Sequence, residues 1–330
     1  MKRFALTLIG TIIIASGALS QQRAGYSNFL LNDYYFNPAI AGSKNVHEAN
    51  LAYRNQWVGF DGSPTLMMGN FQGSIKNEGK MGYGLSIVSE NKGITQNTAI
   101  YLNYAHHFKL SENMKLGLGI QPGYMQHRVR LYDAQVTDAG DEVLTGTVYS
   151  ANALDVSTGF HLYSKKFFLM GSAHRLLGRQ IQFTSYNDNL AFHVNGIIGY
   201  SFHMKTKAKK IFELQPSFMA RYTKPVPFQY TAMLKGTFDK KIWLGLLYRS
   251  DDAIGISAGV TLRKRFSIGY GYDYTLSKMS NYQSGSHEVM LSFVITKKKL
   301  SLEEEDDDLN NSILEDMQKK LDDEKKNKNQ

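Results

Sequence analysis

Leu190, Phe192, Val194, Gly196, Ile198, Tyr200, Phe202 and Met204 occupy every second position of one stretch, with Ala191, His193, Asn195, Ile197, Gly199, Ser201 and His203 between them. Period two puts successive side chains on opposite faces of a strand, whereas an amphipathic helix needs apolar residues every three or four positions. The same alternation recurs in Ile100-x-Leu102-x-Tyr104, in Ile242-x-Leu244-x-Leu246-x-Tyr248, in Ile254-x-Ile256-x-Ala258-x-Val260 and in Val289-x-Leu291-x-Phe293-x-Ile295. The pattern predicts strands over 46–57, 64–75, 80–89, 94–108, 114–125, 147–161, 167–176, 189–204, 211–223, 227–238, 241–250, 254–263, 266–276 and 286–296. Turn signals separate them, among them Asn91-Lys92-Gly93, Ser111-Glu112-Asn113 and Ser250-Asp251-Asp252.

About fourteen strands, each near the roughly 9–11 residues that cross a bilayer at a tilt, point to an all-β fold: a transmembrane antiparallel β-barrel. Closure satisfies every backbone group where no water can reach. The polar faces carry His, Asn, Arg, Glu and Gln, which suit a hydrated lumen, and the apolar faces end in Tyr and Phe, which suit interfacial girdles. With 20 Tyr, 18 Phe and 29 Gly but only 6 Pro, the composition fits short strands, aromatic belts and tight turns. A large secreted β-sandwich is the competing fold, since its strands alternate in the same way.

The ends of the chain differ from this middle. Lys2 and Arg3 precede the apolar run Phe4–Ala15, and Ala18-Leu19-Ser20 places small residues where signal peptidase reads, so residues 1–20 are expected to be a signal peptide cleaved after Ser20. Residues 21–45 hold Tyr26, Phe29, Tyr34, Tyr35, Phe36 and Asn37-Pro38. So aromatic a segment is expected to pack near the barrel lumen in a plug-like way, ahead of a barrel spanning 46–296. Residues 297–330 carry 8 Lys and 11 Asp/Glu, with Leu309, Ile313, Met317 and Leu321 at four-residue spacing. That is an apolar stripe on a charged helical tail, or a solvated tail without structure. An even strand count would leave this tail in the periplasm.

The formal net charge is +9, and the signal's +2 and the tail's −3 leave +10 on residues 21–296. An exported barrel meets anionic lipid headgroups sooner than nucleic acid, so outer-membrane lipid is the expected basic-face partner and nucleic acid is not. The absence of cysteine excludes disulfides and thiolate metal sites. His287-Glu288 lacks the second histidine of a zinc-protease motif, because position 291 is Leu. His106 and His107 point to opposite faces of a strand and cannot share a metal. Gly117-Leu118-Gly119 lacks the third glycine of a dinucleotide loop and the helix that would follow it. No catalytic residue, cofactor or metal site is expected, and the chain reads as not an enzyme.

Besides the tail stripe Leu309, Ile313, Met317 and Leu321, two places are candidates for partner binding. The stretch from Tyr53 to Thr65 runs from a strand into Gly62-Ser63-Pro64 and holds Trp57, one of two tryptophans. Ala49, Leu51 and Tyr53 alternate to one side, so Arg54 faces inward, where its charge needs a carboxylate or water. A purely structural role, with Trp57 as an interfacial anchor, is the alternative. The second place is the gap 126–146, whose Asp133, Asp138, Asp141 and Glu142 would form an acidic extracellular loop that contacts cargo or is simply solvated.

Four stretches resemble the PorP/SprF family of type IX secretion proteins: Asn37-Pro38-Ala39-Ile40-Ala41-Gly42-Ser43, Tyr53-Arg54-Asn55-Gln56-Trp57, Tyr104-Ala105-His106-His107-Phe108-Lys109-Leu110, and Tyr272-Asp273-Tyr274 followed by Gly285-Ser286-His287-Glu288-Val289-Met290-Leu291. They keep order across almost the whole chain to about residue 296. The resemblance implies an integral outer-membrane barrel in type IX secretion or gliding motility. Such a barrel would anchor the C-terminal domain of a secreted cargo or a surface adhesin, and it would link to periplasmic secretion or motility components through the tail. A porin or substrate channel, and an outer-membrane hydrolase, are the competing functions. The charged tail 297–330 goes beyond the family pattern.

Overall fold

A computed structural model describes residues 26–75, 79–130, 148–178, 180–182, 187–189, 192–205, 210–223 and 226–295. The expected signal peptide, the acidic loop with Asp133, Asp138, Asp141 and Glu142, and the tail stripe Leu309, Ile313, Met317 and Leu321 lie outside the described residues. A short helix α1 (Asp33–Phe36) and a 3-10 turn (Pro38–Ile40) precede the strands. These are β1 (His47–Asn55), β2 (Thr65–Ser74), β3 (Met81–Lys92), β4 (Thr95–Lys109), β5 (Lys115–Arg130), β6 (Val148–Tyr163), β7 (Phe167–His174), β8 (Gln180–Gln182), β9 (Asn187–Asn189), β10 (His193–Tyr200), β11 (Phe202–Lys205), β12 (Ile211–Thr223), β13 (Val226–Phe238), β14 (Ile242–Arg249), β15 (Ala253–Leu262), β16 (Phe266–Thr275) and β17 (Ser286–Ile295).

Each long strand pairs with its neighbours in sequence, β1 closes on β17, and β10 joins β7 to β12. The sheet therefore has no free edge. β10 and β11 both run against β12 and are one strand interrupted at Ser201, so the barrel has fourteen antiparallel strands. β8 and β9 form a separate small hairpin in the connection after β7, which the alternation did not predict.

Two strands extend past their expected ends. Asn91 pairs with Gln96 and Lys92 with Thr95. The chain reverses at Gly93, whose φ of +56° suits glycine, so Asn91-Lys92 belongs to the strand rather than the turn. β5 likewise continues past 125 because β6 stays paired with it out to Arg130–Val148. β4, β5 and β6, at 15, 16 and 16 residues, exceed what a bilayer crossing needs.

The outer face is apolar. Leu51, Met67, Leu102, Leu244 and Leu246 are 58–63% exposed, and a belt of this kind is stable only against lipid. The inner face is packed. Met68, Met170, Met219, Met233, Trp243 and Met290 point inward and meet Tyr26, Phe29, Tyr34, Phe36 and Ile40 of the N-terminal segment in one buried cluster. The barrel's two ends also differ. At the end where β1 finishes, the connections 56–64, 131–147, 175–192 and 276–285 are long and 93–94, 224–225 and 250–252 are tight; at the other, the turns 75–80, 110–114, 164–166, 206–210, 239–241 and 263–265 are all short. We call these the loop end and the turn end.

Candidate functional site

The strands build a wall of inward-facing polar groups, and the N-terminal segment binds to it. Asn37 is the N-cap of the 3-10 turn: its side chain accepts from the Ala39 N–H at 2.9 Å, and Pro38 fills the first position, where no N–H is needed. The same side chain donates from Nδ2 to the carbonyls of Phe160 (2.8 Å) and Gly171 (3.1 Å). Asn103 donates to the Pro38 carbonyl at 2.8 Å, and His107 Nε2 lies 2.7 Å from the Ala41 carbonyl. Of the two adjacent histidines, then, one faces in and holds the segment, while His106 faces the outer side with Phe108.

Glycines on the inner wall make room for this turn. A Cβ at Gly119 would lie 2.4 Å from Ala39 N, one at Gly82 1.8 Å from the Ala41 carbonyl oxygen, and one at Gly159 2.2 Å from Asn37 Oδ1. Strand glycine normally weakens a sheet; here it marks a close backbone approach. Asn37–Gly42 thus sits in a groove cut through β3, β5 and β6.

The start of the segment is held by charge. Arg54, near the end of β1, is 1% exposed. Its Nη2 lies 2.7 Å from Asp273 Oδ2 on β16 and its Nη1 3.3 Å from Glu288 Oε2 on β17. Arg249, at the end of β14, contacts Asp252 at 2.7 Å and Asp273 at 3.6 Å. Ser27 donates its backbone N–H to Glu288 at 3.0 Å and its hydroxyl to Asp273, and it accepts from Arg249 Nη2 at 2.6 Å. Both the backbone N–H and the side-chain amide of Asn28 bond Glu288. Two guanidiniums and three carboxylates are thereby enclosed and paired, with Arg54 Nε buried without a hydrogen-bond partner. A buried ionic cluster of this kind adds little net stability but strongly penalises loss of one member.

Two cavities flank the segment. One, of about 50 Å³, is near the loop end beside Tyr35, Tyr101, Asp155, His174 and Arg221; the other, of about 250 Å³, is near the turn end beside Lys44, Glu48, Glu213, Lys235 and Trp243. Tyr26 contributes to both walls. Burial pushes the Tyr34 phenol up to about 12, and burial, with the Glu288 carboxylate behind it, raises Tyr26 as well. Among the described residues, no group of three His, Asp or Glu is placed to hold a metal ion.

Of the predicted partner residues, Arg54 faces inward and is paired with carboxylates. Trp57 is half-buried in the β1–β2 connection, with φ +57° and its N–H on Ser286 Oγ at 3.1 Å. Next to it, Val58 exchanges backbone bonds with Ser284 and Gly285 at 2.8 and 2.9 Å, clipping two loops together. The structure brings Arg54 and Trp57 to one end of the barrel but into different contacts. Sequence reasoning missed Asp273, Glu288, Arg249 and Asp252. The signal for the first two was present, because alternation along β16 and β17 turns both toward Arg54.

Several solved structures show a distant likeness in shape. A FadL homologue from Pseudomonas aeruginosa is 10% identical, with a TM-score of 0.45 over 86% of this chain and 95% of its own. The CymD monoaromatic hydrocarbon channel is 7% identical, with a TM-score of 0.46 over 83% of this chain and 94% of its own. The P. putida toluene transporter TodX is 7% identical, with a TM-score of 0.42 over 79% and 92%. At such identities what those proteins carry does not transfer. No curated protein matches the sequence. The profile of the type IX secretion system membrane protein PorP/SprF matches residues 18–293, the stretch that includes the Asn37–Gly42 turn, Arg54, Asp273 and Glu288, and the chain belongs to that family.

Proposed function

We propose that this barrel is a closed anchor in the outer membrane, one that holds a secreted adhesin or enzyme by its C-terminal domain and couples it to periplasmic type IX secretion or gliding machinery. The observation that carries this reading is the N-terminal segment, whose buried aromatics, glycine groove and charge cluster use the lumen for protein contacts. A solute channel needs that volume open. Short periplasmic turns and longer extracellular loops are the habit of such barrels. On that ground the loop end, with Trp57 and the connection holding Asp133, Asp138, Asp141 and Glu142, faces the cargo, while the turn end and the 297–330 tail with Leu309, Ile313, Met317 and Leu321 face the periplasm. The chain then acts as a scaffold, not a catalyst.

The test is a detergent pull-down of tagged full-length protein, with and without residues 297–330, read by mass spectrometry. Recovery of a large secreted protein supports the anchor, and loss of periplasmic components on truncation assigns them to the tail. A folded barrel recovered alone, together with steady solute conductance in planar bilayers, overturns it in favour of a porin.

A further inference from the structure

On the outer wall of β3–β6 the chemistry changes between one row of side chains and the next. Ile87, Ile100, Tyr124 and Leu154 lie side by side in register, each 45–54% exposed on the lipid-facing side. Two residues further toward the loop end, and therefore on the same face, the row is Ser89, Thr98, Gln126 and Asn152. Two further on it is Asn91, Gln96, Arg128 and Ser150. All eight are exposed or half-buried, and none is acidic. Amides and hydroxyls are costly against hydrocarbon, so the acyl chains end below these two rows. The wall does not end there, since β5 and β6 stay paired out to Arg130 and Val148. A lipid whose chains cover Ile100, Tyr124 and Leu154 must set its headgroup against the polar rows.

The rows are suited to sugars and phosphate. The Ser89 and Thr98 hydroxyls lie 3.5 Å apart, and Gln126 Nε2 donates to Asn152 Oδ1 at 3.3 Å. A side-chain amide has two donors and two acceptor sites, so both amides keep capacity for an outside hydroxyl. The Arg128 guanidinium has the fork that matches a phosphate. Height narrows the class of headgroup. At about 3.4 Å per residue and a tilt near 40°, Gln126 and Asn152 stand about 5 Å above Tyr124 and Leu154, and Arg128 and Ser150 about 10 Å above them. Phospholipid headgroups occupy about 5–7 Å on each side of the hydrocarbon. The first row lies within that depth and the second overtops it.

We propose that this face of β3–β6 binds the headgroup of a phosphorylated glycolipid in the outer leaflet, with sugar along Gln126 and Asn152 and phosphate on Arg128. The contact rests on the loop end facing outward, and it stands whether or not the barrel anchors cargo.

The full-length protein in detergent is titrated, by native mass spectrometry, with rough lipopolysaccharide carrying a phosphorylated core, with lipid A and with phosphatidylglycerol. The expected order of affinity is lipopolysaccharide, then lipid A, then phosphatidylglycerol. Arg128→Gln should weaken lipopolysaccharide binding about tenfold, as loss of one charge-assisted bond does, and leave lipid A binding unchanged. Gln126→Ala with Asn152→Ala should weaken both. These side chains lie on the outer wall, and a heat-modifiable gel shift verifies folding of each variant. Phosphatidylglycerol bound as tightly as lipopolysaccharide, or Arg128→Gln indistinguishable from the native protein, overturns the proposal. Orientation is read separately. The chain has no cysteine, so Asp61→Cys, at an exposed position of the β1–β2 connection, reports through a membrane-impermeant maleimide on intact cells. Labelling there supports the outward loop end, and labelling only after lysis overturns the proposal through its orientation rather than its chemistry.

Discussion

Arg54 and Glu288 face each other in register across the seam where the first strand meets the last, 3.3 Å from Nη1 to Oε2. The pair therefore sits on the contact that closes the barrel, and through Ser27 and Asn28 the same carboxylate holds the N-terminal segment. Closure and filling of the lumen are coupled at one side chain.

Arg54→Met should destabilise the barrel by about 3–5 kcal/mol, because it strands Asp273 and Glu288 without their main cation. Urea titration of tryptophan fluorescence in detergent or vesicles measures this. Replacing the charges together (Arg54→Met with Glu288→Gln) should recover part of the loss. A single variant as stable as the native protein would mean that Arg249 and water suffice to hold the carboxylates.

Gly119→Val tests the groove. The added side chain begins 2.4 Å from Ala39 N in a wall that backbone fills on both sides. Asn37–Gly42 must move, so protease cleavage within 26–45 and bilayer conductance should both rise while the barrel still shows its heat-modifiable gel shift. Unchanged conductance with cleavage increased would show that the lumen is blocked by something other than this turn.

Tyr34 supplies a pH dependence. Its folded pKa is raised to about 12 by burial, whereas an exposed tyrosine ionises near 10. Above pH ~10 the unfolded chain loses this proton and the folded one keeps it, so stability falls as pH rises from ~10 to ~12 and is unaffected below. Tyr34→Phe should flatten that part of the curve in chemical denaturation at stepped alkaline pH. An identical alkaline slope in both proteins would remove Tyr34 from the account.

Most of the barrel was legible because its cause is local: period two and turn residues are written in consecutive positions, and they gave all fourteen strands. What was misread depended on partners elsewhere. β3 runs past Asn91 because Gln96 pairs with it, and the strand containing Ser201 breaks where β12 must pair with two successive stretches. Arg54 was recognisable as inward-facing from the alternation of Ala49, Leu51 and Tyr53. Alternation also turns Asp273 and Glu288 inward, but they lie more than 200 positions away, and only closure of β1 on β17 shows that they are its partners. Asn37-Pro38 announces a capped turn, but the glycines that receive it are spread over β3, β5 and β6.

The lipid face gives the last test. Leu246 stands in the middle of β14, 58% exposed on the outer wall, at the depth where a bilayer is driest. Leu246→Arg should cost about 2–4 kcal/mol in vesicle-refolded protein, as a cation at the midplane does. Leu262→Arg, also outward but at the turn-end rim of β15, should cost about 0–1 kcal/mol, because the guanidinium reaches headgroups there. Equal costs at the two sites would place the hydrocarbon band elsewhere on the wall. The ratio therefore locates the membrane independently of loop length, and fixes how far β4, β5 and β6 extend beyond it.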